Sequence, residues 1–277
     1  MGIEQHIDLN RYPVDSLDEA PTGALVERCR AGLEECGAYV LGGFLRPPAL
    51  DSILTELGGV VDNAYYRPKT HNVYLAPPDT SLPADHPRNR EQLTSSATLA
   101  YDFIGAGSLL DQIYRWAPLR AFIARTLGCE ELHPYDDPLA AVNVLVYPSG
   151  TRTGWHFDNA HFVVTIMLQQ GEGGGVYEYA PFIRGPDEDN YPSIEAVLDG
   201  DAGPVRQLEQ RPGDLVVFQG RYTLHRVTEV VGALPRLVAV LSYDVTPGMS
   251  LTPHTRSTFY GRAHPDDPLP RREGAAD

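Results

Sequence analysis

The chain has 277 residues, of which 42% are hydrophobic and 21% charged. That balance suits a folded domain and excludes a disordered or fibrous chain. Lys and Arg total 22 against 37 Asp and Glu, a net charge of −15, so the whole-chain field repels phosphate and argues against nucleic acid or an anionic membrane as partner.

The start, Met-Gly-Ile-Glu-Gln-His-Ile-Asp, lacks the basic and apolar regions of a signal peptide. No apolar run approaches the roughly 18 residues that span a bilayer. Cys29, Cys36 and Cys129 are few, odd in number and, for the first two, too far apart on one helix for a bridge. They fit thiols in a reducing, cytoplasmic setting.

Residues 1–20 read as an irregular arm. Leu25, Val26, Cys29, Leu33 and Cys36 recur at three- and four-residue steps, which predicts a helix from Pro21 to Gly37. Ala38 to Leu41 is a short strand. Pro47 opens a second helix to about Val61, with Leu50, Ile53, Leu54 and Leu57 on one face. Residues 62–98 are rich in Pro, Asn, His and Arg and read as loops with one short strand. Residues 107–127 read as a helix that Pro118 kinks or divides.

From about residue 139 the period becomes two. Strands are expected at Ala140–Tyr147, His161–Gln170, Val176–Ala180, Leu215–Gln219, Leu224–Val230 and Arg236–Val245, broken by Gly and Pro turns. Gly171–Gly175 reads as a hairpin turn and not as a phosphate cradle, since no helix follows it. The pattern is that of an all-β core with helical additions, a jelly roll behind an α-rich N-terminal part. One domain is expected over 1–277: a mainly helical and loop support region (1–130), a jelly-roll core (131–262) and a flexible tail (263–277).

The chemistry lies in Gly154-Trp155-His156-Phe157-Asp158 and, far downstream, Leu224-His225-Arg226-Val227. On extended backbone His156 and Asp158 point the same way while Phe157 faces the core. A returning strand can bring His225 to them. Two imidazoles and one carboxylate form a facial triad suited to Fe(II) that leaves positions open for a cosubstrate and O2. Farther on, Arg236 opens the apolar run Leu237-Val-Ala-Val-Leu241. Burying a guanidinium there is costly without an anion, and a dicarboxylate supplies one that it can grip bidentately.

These residues resemble the Fe(II)/2-oxoglutarate-dependent dioxygenase superfamily, in particular the branch of free-amino-acid halogenases and related hydroxylases. The resemblance extends over most of the chain, through Cys36-Gly37, Gly43-Phe44-Leu45, His71-Asn72-Val73-Tyr74, Asp137-Pro138-Leu139, Val142-Asn143-Val144, Gly174-Gly175-Val176-Tyr177, Leu241-Ser242-Tyr243-Asp244 and Phe259-Tyr260-Gly261-Arg262. It implies a double-stranded β-helix and iron held by His156, Asp158 and His225. It implies 2-oxoglutarate on Arg236, with Thr165 and Ser242 as further cosubstrate candidates. It also implies decarboxylation of 2-oxoglutarate to succinate, coupled to attack on an unactivated C–H bond.

Halogenases of the branch carry Gly or Ala where this chain has Asp158, so hydroxylation is expected over chlorination. The substrate expected is a small polar molecule, a free amino acid or a derivative. Candidate contacts are Asn143, Asn159, His71, Asn72, Arg256 and Tyr260, with His161 also near the motif. Lysine-acting relatives place an acidic residue after the metal carboxylate, and Asn159 stands there instead. Desaturation, cyclisation or epimerisation would use the same iron chemistry. A non-catalytic, cupin-like binding module shares the β pattern but gives no reason for Arg236. A monomer or a homodimer is expected.

Overall fold

A computed structural model describes residues 2–269 of the chain. Residues 270–277 of the expected tail lie outside the described residues. Among the described residues the helices are α1 (Ala20–Cys36), α2 (Pro47–Gly58), α3 (Tyr101–Ile104), α4 (Leu109–Arg115), α5 (Ala117–Leu127), α6 (Tyr191–Leu198) and α7 (Pro253–Tyr260). The strands are β1 (Ala38–Leu41), β2 (Tyr65–Tyr66), β3 (Lys69–His71), β4 (Gln92–Thr94), β5 (Ala97–Leu99), β6 (His133–Pro134), β7 (Val142–Tyr147), β8 (Thr153–His156) and β9 (Val163–Gln169). They continue with β10 (Gly173–Gly174), β11 (Tyr177–Ala180), β12 (Arg206–Leu208), β13 (Leu215–Phe218), β14 (Leu224–Val227), β15 (Val230–Val231), β16 (Arg236–Leu241) and β17 (Tyr243–Asp244).

Local chemistry sets the helix ends. Gly37, at φ 71°, takes the left-handed turn that closes α1 and returns its N–H to the Leu33 carbonyl. Pro118 does divide the expected long helix: Trp116 is extended between α4 and α5, and the proline sits in the first turn of α5, where no N–H is required. Three helices, α3, α6 and α7, fall in segments where no helix is expected from the sequence.

Two antiparallel sheets face each other, a seven-stranded one ordered β1-β13-β9-β16-β7-β5-β2 and a four-stranded one ordered β12-β11-β14-β8. Apart from the β11–β12 pair, neighbouring strands in both sheets are non-consecutive in sequence, the crossover pattern of the double-stranded β-helix. Three of the seven strands, β1, β2 and β5, come from the N-terminal part, so the sheet draws strands from both sides of residue 130. Residues 62–98 hold four short strands, and the expected Gly171–Gly175 turn contains β10, which pairs with β15. In the expected arm, Ile7, Tyr12 and Val14 are buried in the main core.

The larger sheet separates two environments by strand parity. Val142, Val144 and Val146, then Val164, Ile166 and Leu168, then Leu237, Ala239 and Leu241 join the main core with the apolar faces of α1, α2, α4 and α5. Their alternates, Leu145 and Tyr147, Val163 and Thr165, and Arg236, Val238 and Val240, line a cavity between the two sheets. Both faces of these strands are therefore covered, one by helices and one by the site. No helix among the described residues is long and apolar enough to cross a membrane.

Candidate metal centre

β8 carries His156 at its end, and β14 places His225 directly across from it in the ladder. The next pair in register is Val227 with Thr153, so β8 holds one residue more than β14 over this step. That bulge lets both Thr153 and His156 face the cavity despite their odd spacing. The chain then leaves the strand. The Phe157 N–H goes to the Val73 carbonyl at 2.7 Å and the Asp158 N–H to the Gly220 carbonyl at 3.0 Å. Phe157 is buried in a separate apolar cluster with Val73, Trp155, Ala180 and Leu224, which returns the Asp158 carboxylate toward the histidines.

The Nε2 atoms of His156 and His225 lie 3.6 and 3.5 Å from Asp158 Oδ1, and the donor atoms of the three residues fall within 4.8 Å of one another. Their hydrogen bonds fix the tautomers. His156 Nδ1 is 2.9 Å from the Gly154 carbonyl and His225 Nδ1 is 2.9 Å from the Thr223 carbonyl. A carbonyl only accepts, so each Nδ1 carries the proton and each Nε2 presents its lone pair to the centre. The His225 ring is stacked on Tyr177 and meets Phe218 edge-on, so it has little room to turn.

Electrostatics agree. Burial, aided by His225, lowers the His156 pKa and favours the neutral, ligating form. Burial would push the Asp158 carboxyl up, but the two imidazoles outweigh it and hold it well below the usual carboxylate range. Two imidazoles and one ionised carboxylate, converging on one point, could hold a divalent metal ion and fit Fe(II).

Arg236 lines the same cavity from the opposite sheet and is 4% exposed. One Nη2 donates to Gln210 Oε1 at 3.0 Å, the guanidinium lies 5.2 Å from the centroid of the Tyr147 ring, and Nε has no partner. No carboxylate pairs with it among the described residues. A buried guanidinium with an unused donor is a ready anion site, and it fits one carboxylate of 2-oxoglutarate.

The cavity has a volume of about 230 Å³. Of the candidates read from the sequence, it brings together His156, Asp158, His225, Arg236, Thr165 and His71. His71 is fixed at both nitrogens. Nδ1 meets the Asn72 carbonyl at 2.9 Å, and Nε2 meets the Thr94 hydroxyl at 2.7 Å, which also accepts the Gly154 N–H. Burial, opposed by the Asn72 contact, lowers the His71 pKa to about 4, so the ring is neutral.

The remaining candidates are placed elsewhere. Asn143 is buried in β7 but does not line the cavity. Ser242 follows β16 and offers its carbonyl to Tyr114 and Tyr135. The Asn72 side chain folds back on its own loop, bonding Ala76 and Tyr74. Asn159 is exposed, on an outer groove beside His254, and His161 meets Arg221 at the surface. Arg256 is taken by the buried Asp137 at 3.0 Å, and Tyr260 packs with Ala100, Leu139 and Ala140. The side chains of Arg256, Asn72 and His161 thus have partners within the protein.

Conversely, Tyr147, Tyr177, Gln210, Arg67, Lys69, Ser96, Thr98 and Phe259 line the cavity and are not singled out by sequence reasoning. Tyr147 had a findable signal, since it shares strand parity with Leu145. Gln210, just before the Pro212-Gly213 turn, had none until the register with Arg236 was known.

Two facing sheets holding a His-x-Asp and a distant His, with a buried arginine opposite, define the class: an Fe(II)/2-oxoglutarate-dependent dioxygenase. The sequence matches the Halogenase D family model over residues 28–259, and the chain belongs to that family. No curated protein matches the sequence significantly.

Solved structures share the fold at low identity. The epimerase SnoN from nogalamycin biosynthesis, in complex with Fe3+, alpha ketoglutarate and nogalamycin RO, is 15% identical over 83% of this chain and 85% of that one, with a TM-score of 0.56. AviO1 from Streptomyces viridochromogenes Tue57 is 16% identical over 78% of this chain and 93% of that one, with a TM-score of 0.54. A Trichoplax adhaerens prolyl hydroxylase, in complex with a hypoxia inducible factor peptide fragment, is 15% identical over 83% of this chain and 96% of that one, with a TM-score of 0.53.

Proposed function

We propose that the chain hydroxylates an unactivated C–H bond of a small polar substrate, a free amino acid or a close derivative. His156, Asp158 and His225 would hold Fe(II), and Arg236, steadied by Gln210, would hold a carboxylate of 2-oxoglutarate. Bound together with O2, iron and 2-oxoglutarate supply the oxidant, and succinate and CO2 are the by-products.

The observation that carries hydroxylation over halogenation is Asp158. Its ionised carboxylate occupies the third corner of the triad, where the halogenases that the sequence resembles have Gly or Ala and leave room for halide. The protein's own part is positioning and exclusion of water. Gly154 and Thr223 carbonyls orient the two imidazoles. Val216, Phe218, Val238 and Val240 make the walls apolar, which strengthens the charge interactions inside.

The test is an anaerobic titration with Fe(II) and 2-oxoglutarate, followed by admission of oxygen with candidate amino acids present. A weak visible charge-transfer band that is lost in Arg236→Ala, and a product heavier by one oxygen with chloride present or absent, are the expected results. A chlorinated product would overturn the reading. A product that loses two hydrogens, or keeps its mass, would assign desaturation, cyclisation or epimerisation instead.

A further inference from the structure

The cavity carries more positive charge than its cofactors use. Lys69 and Arg67, on and beside β3, line it together with the metal centre. Neither forms an ion pair with a carboxylate among the described residues. Lys69 is half-buried, with its ammonium 4.5 Å from the centroid of the Phe259 ring, and burial lowers its pKa. Arg67 is exposed at the rim.

Among the described residues that line the cavity, Asp158 is the only carboxylate. The double charge of Fe(II) with the single charge of Arg236 offsets Asp158 together with the 2-oxoglutarate dianion. What remains is Lys69 and Arg67, in a space walled by Leu75, Leu145, Val163, Val240 and Phe259. An anion entering that space gains a charge-assisted partner, whereas a second substrate cation meets like charge and no carboxylate.

We propose, on the basis of the hydroxylase reading above, that the substrate is a carboxylic acid with an uncharged side chain. Its carboxylate sits on Lys69, with Arg67 at the rim, and its body lies against Leu75, Val163 and Phe259. Ser96 and Thr98, which line the same wall, offer hydroxyl lone pairs to an α-ammonium without adding a full negative charge. The Thr94 hydroxyl is already engaged with His71 and Gly154. Lysine, ornithine and arginine are therefore excluded as substrates, since among the described residues no acidic group besides Asp158 lines the cavity.

The experiment uses the Fe(II)/2-oxoglutarate holoenzyme and a matched panel: the proteinogenic amino acids, ornithine, norleucine, norleucinamide and hexanoate. Succinate release is followed, and the visible band of the anaerobic complex is recorded before and after each addition. Compounds that stimulate succinate are expected all to carry a carboxylate and none a side-chain cation. Lys69→Met, which keeps the stem and drops the charge, is expected to raise the KM of the best acid at least tenfold with a smaller change in kcat. Lys69→Arg is expected to restore much of the loss.

Stimulation by lysine equal to that by norleucine overturns the proposal. So does stimulation by norleucinamide, an unchanged KM in Lys69→Met, or no stimulation by any acid. In those cases a normal band with Fe(II) and 2-oxoglutarate leaves the oxygenase reading standing. Absence of the band removes that reading, and the substrate class with it.

Discussion

Gly220 and Asp158 are packed back to back. The Gly220 carbonyl accepts the Asp158 N–H at 3.0 Å, and an ideal β-carbon on Gly220 would collide with the Asp158 carboxylate. The glycine is needed for close approach here, not for an unusual backbone angle, because the carboxylate fills the space a side chain would take. Gly220→Ala is therefore expected to displace Asp158 from the triad and to weaken divalent metal binding by roughly 10–100-fold, the range seen when support of a metal ligand is lost. Titration with Mn(II), followed by calorimetry, checks this; affinity equal to that of the natural chain would sink the idea.

Arg236 and Gln210 should separate cleanly in cosubstrate binding. Removing the guanidinium in Arg236→Ala leaves an anion without its buried partner, a loss of about 2–5 kcal/mol or more. Gln210→Ala removes one hydrogen bond at Nη2 and should cost on the order of 1 kcal/mol, roughly a fivefold rise in the dissociation constant of 2-oxoglutarate. Equal losses in the two variants would mean that Arg236 does not contact the cosubstrate directly.

Asp137 is a structural keystone far from the metal. Its buried carboxylate accepts the N–H groups of Leu139, Ala140 and Leu251, the Ser250 hydroxyl and Arg256 Nε. Burial alone would push its pKa up; the amides and the Arg256 guanidinium outweigh that and lower it. The folded-state pKa lies below that of the unfolded chain, about 4. The group therefore stabilises the fold at neutral pH, and this contribution is lost as pH falls from about 4 through the depressed value. Asp137→Ala strands Arg256 and is expected to destabilise by about 3–5 kcal/mol. Denaturant unfolding at pH 7 and at acid pH checks both, and the mutant's deficit should shrink in acid.

Metal binding should be visible in stability without turnover. An ion bound only by the folded state adds about 2.7 kcal/mol when present at a hundred times its dissociation constant. Thermal unfolding with Mn(II) against EDTA is expected to show an upward shift in the natural chain and little or none in Asp158→Ala. An equal shift in both would place the ion outside the triad.

The triad was legible because extended backbone makes the spacing of His156 and Asp158 decisive and because His225 sits on a recognisable strand. Arg236 was legible because a lone guanidinium at the head of an apolar strand demands an anion. The core strands were read well where alternation ran long, as in β7, β9 and β16. Pairing was not legible: nothing local tells Ala38–Leu41 that it will lie beside Leu215–Phe218, or Gln210 that it will meet Arg236. The substrate candidates that do not line the cavity were harder to read. Arg256 and Asn72 are polar residues in plausible segments, but each finds its partner inside the fold, and sequence shows a polar group without showing who satisfies it.

The position of β1 at the edge of the large sheet bears on how the chain reaches this state. Its ladder partner β13 comes late in the sequence, β16 enters between β9 and β7 after both, and α1 and α2 expect to cover a sheet most of which follows them. Such long-range closure makes folding slow. During synthesis the early helices emerge with apolar faces uncovered until β7, β9, β13 and β16 arrive, so the nascent chain is most vulnerable to aggregation in that interval. The metal centre, which requires β8 and β14 to be paired, can form only when assembly is nearly done, and iron capture is thus a report on completed folding.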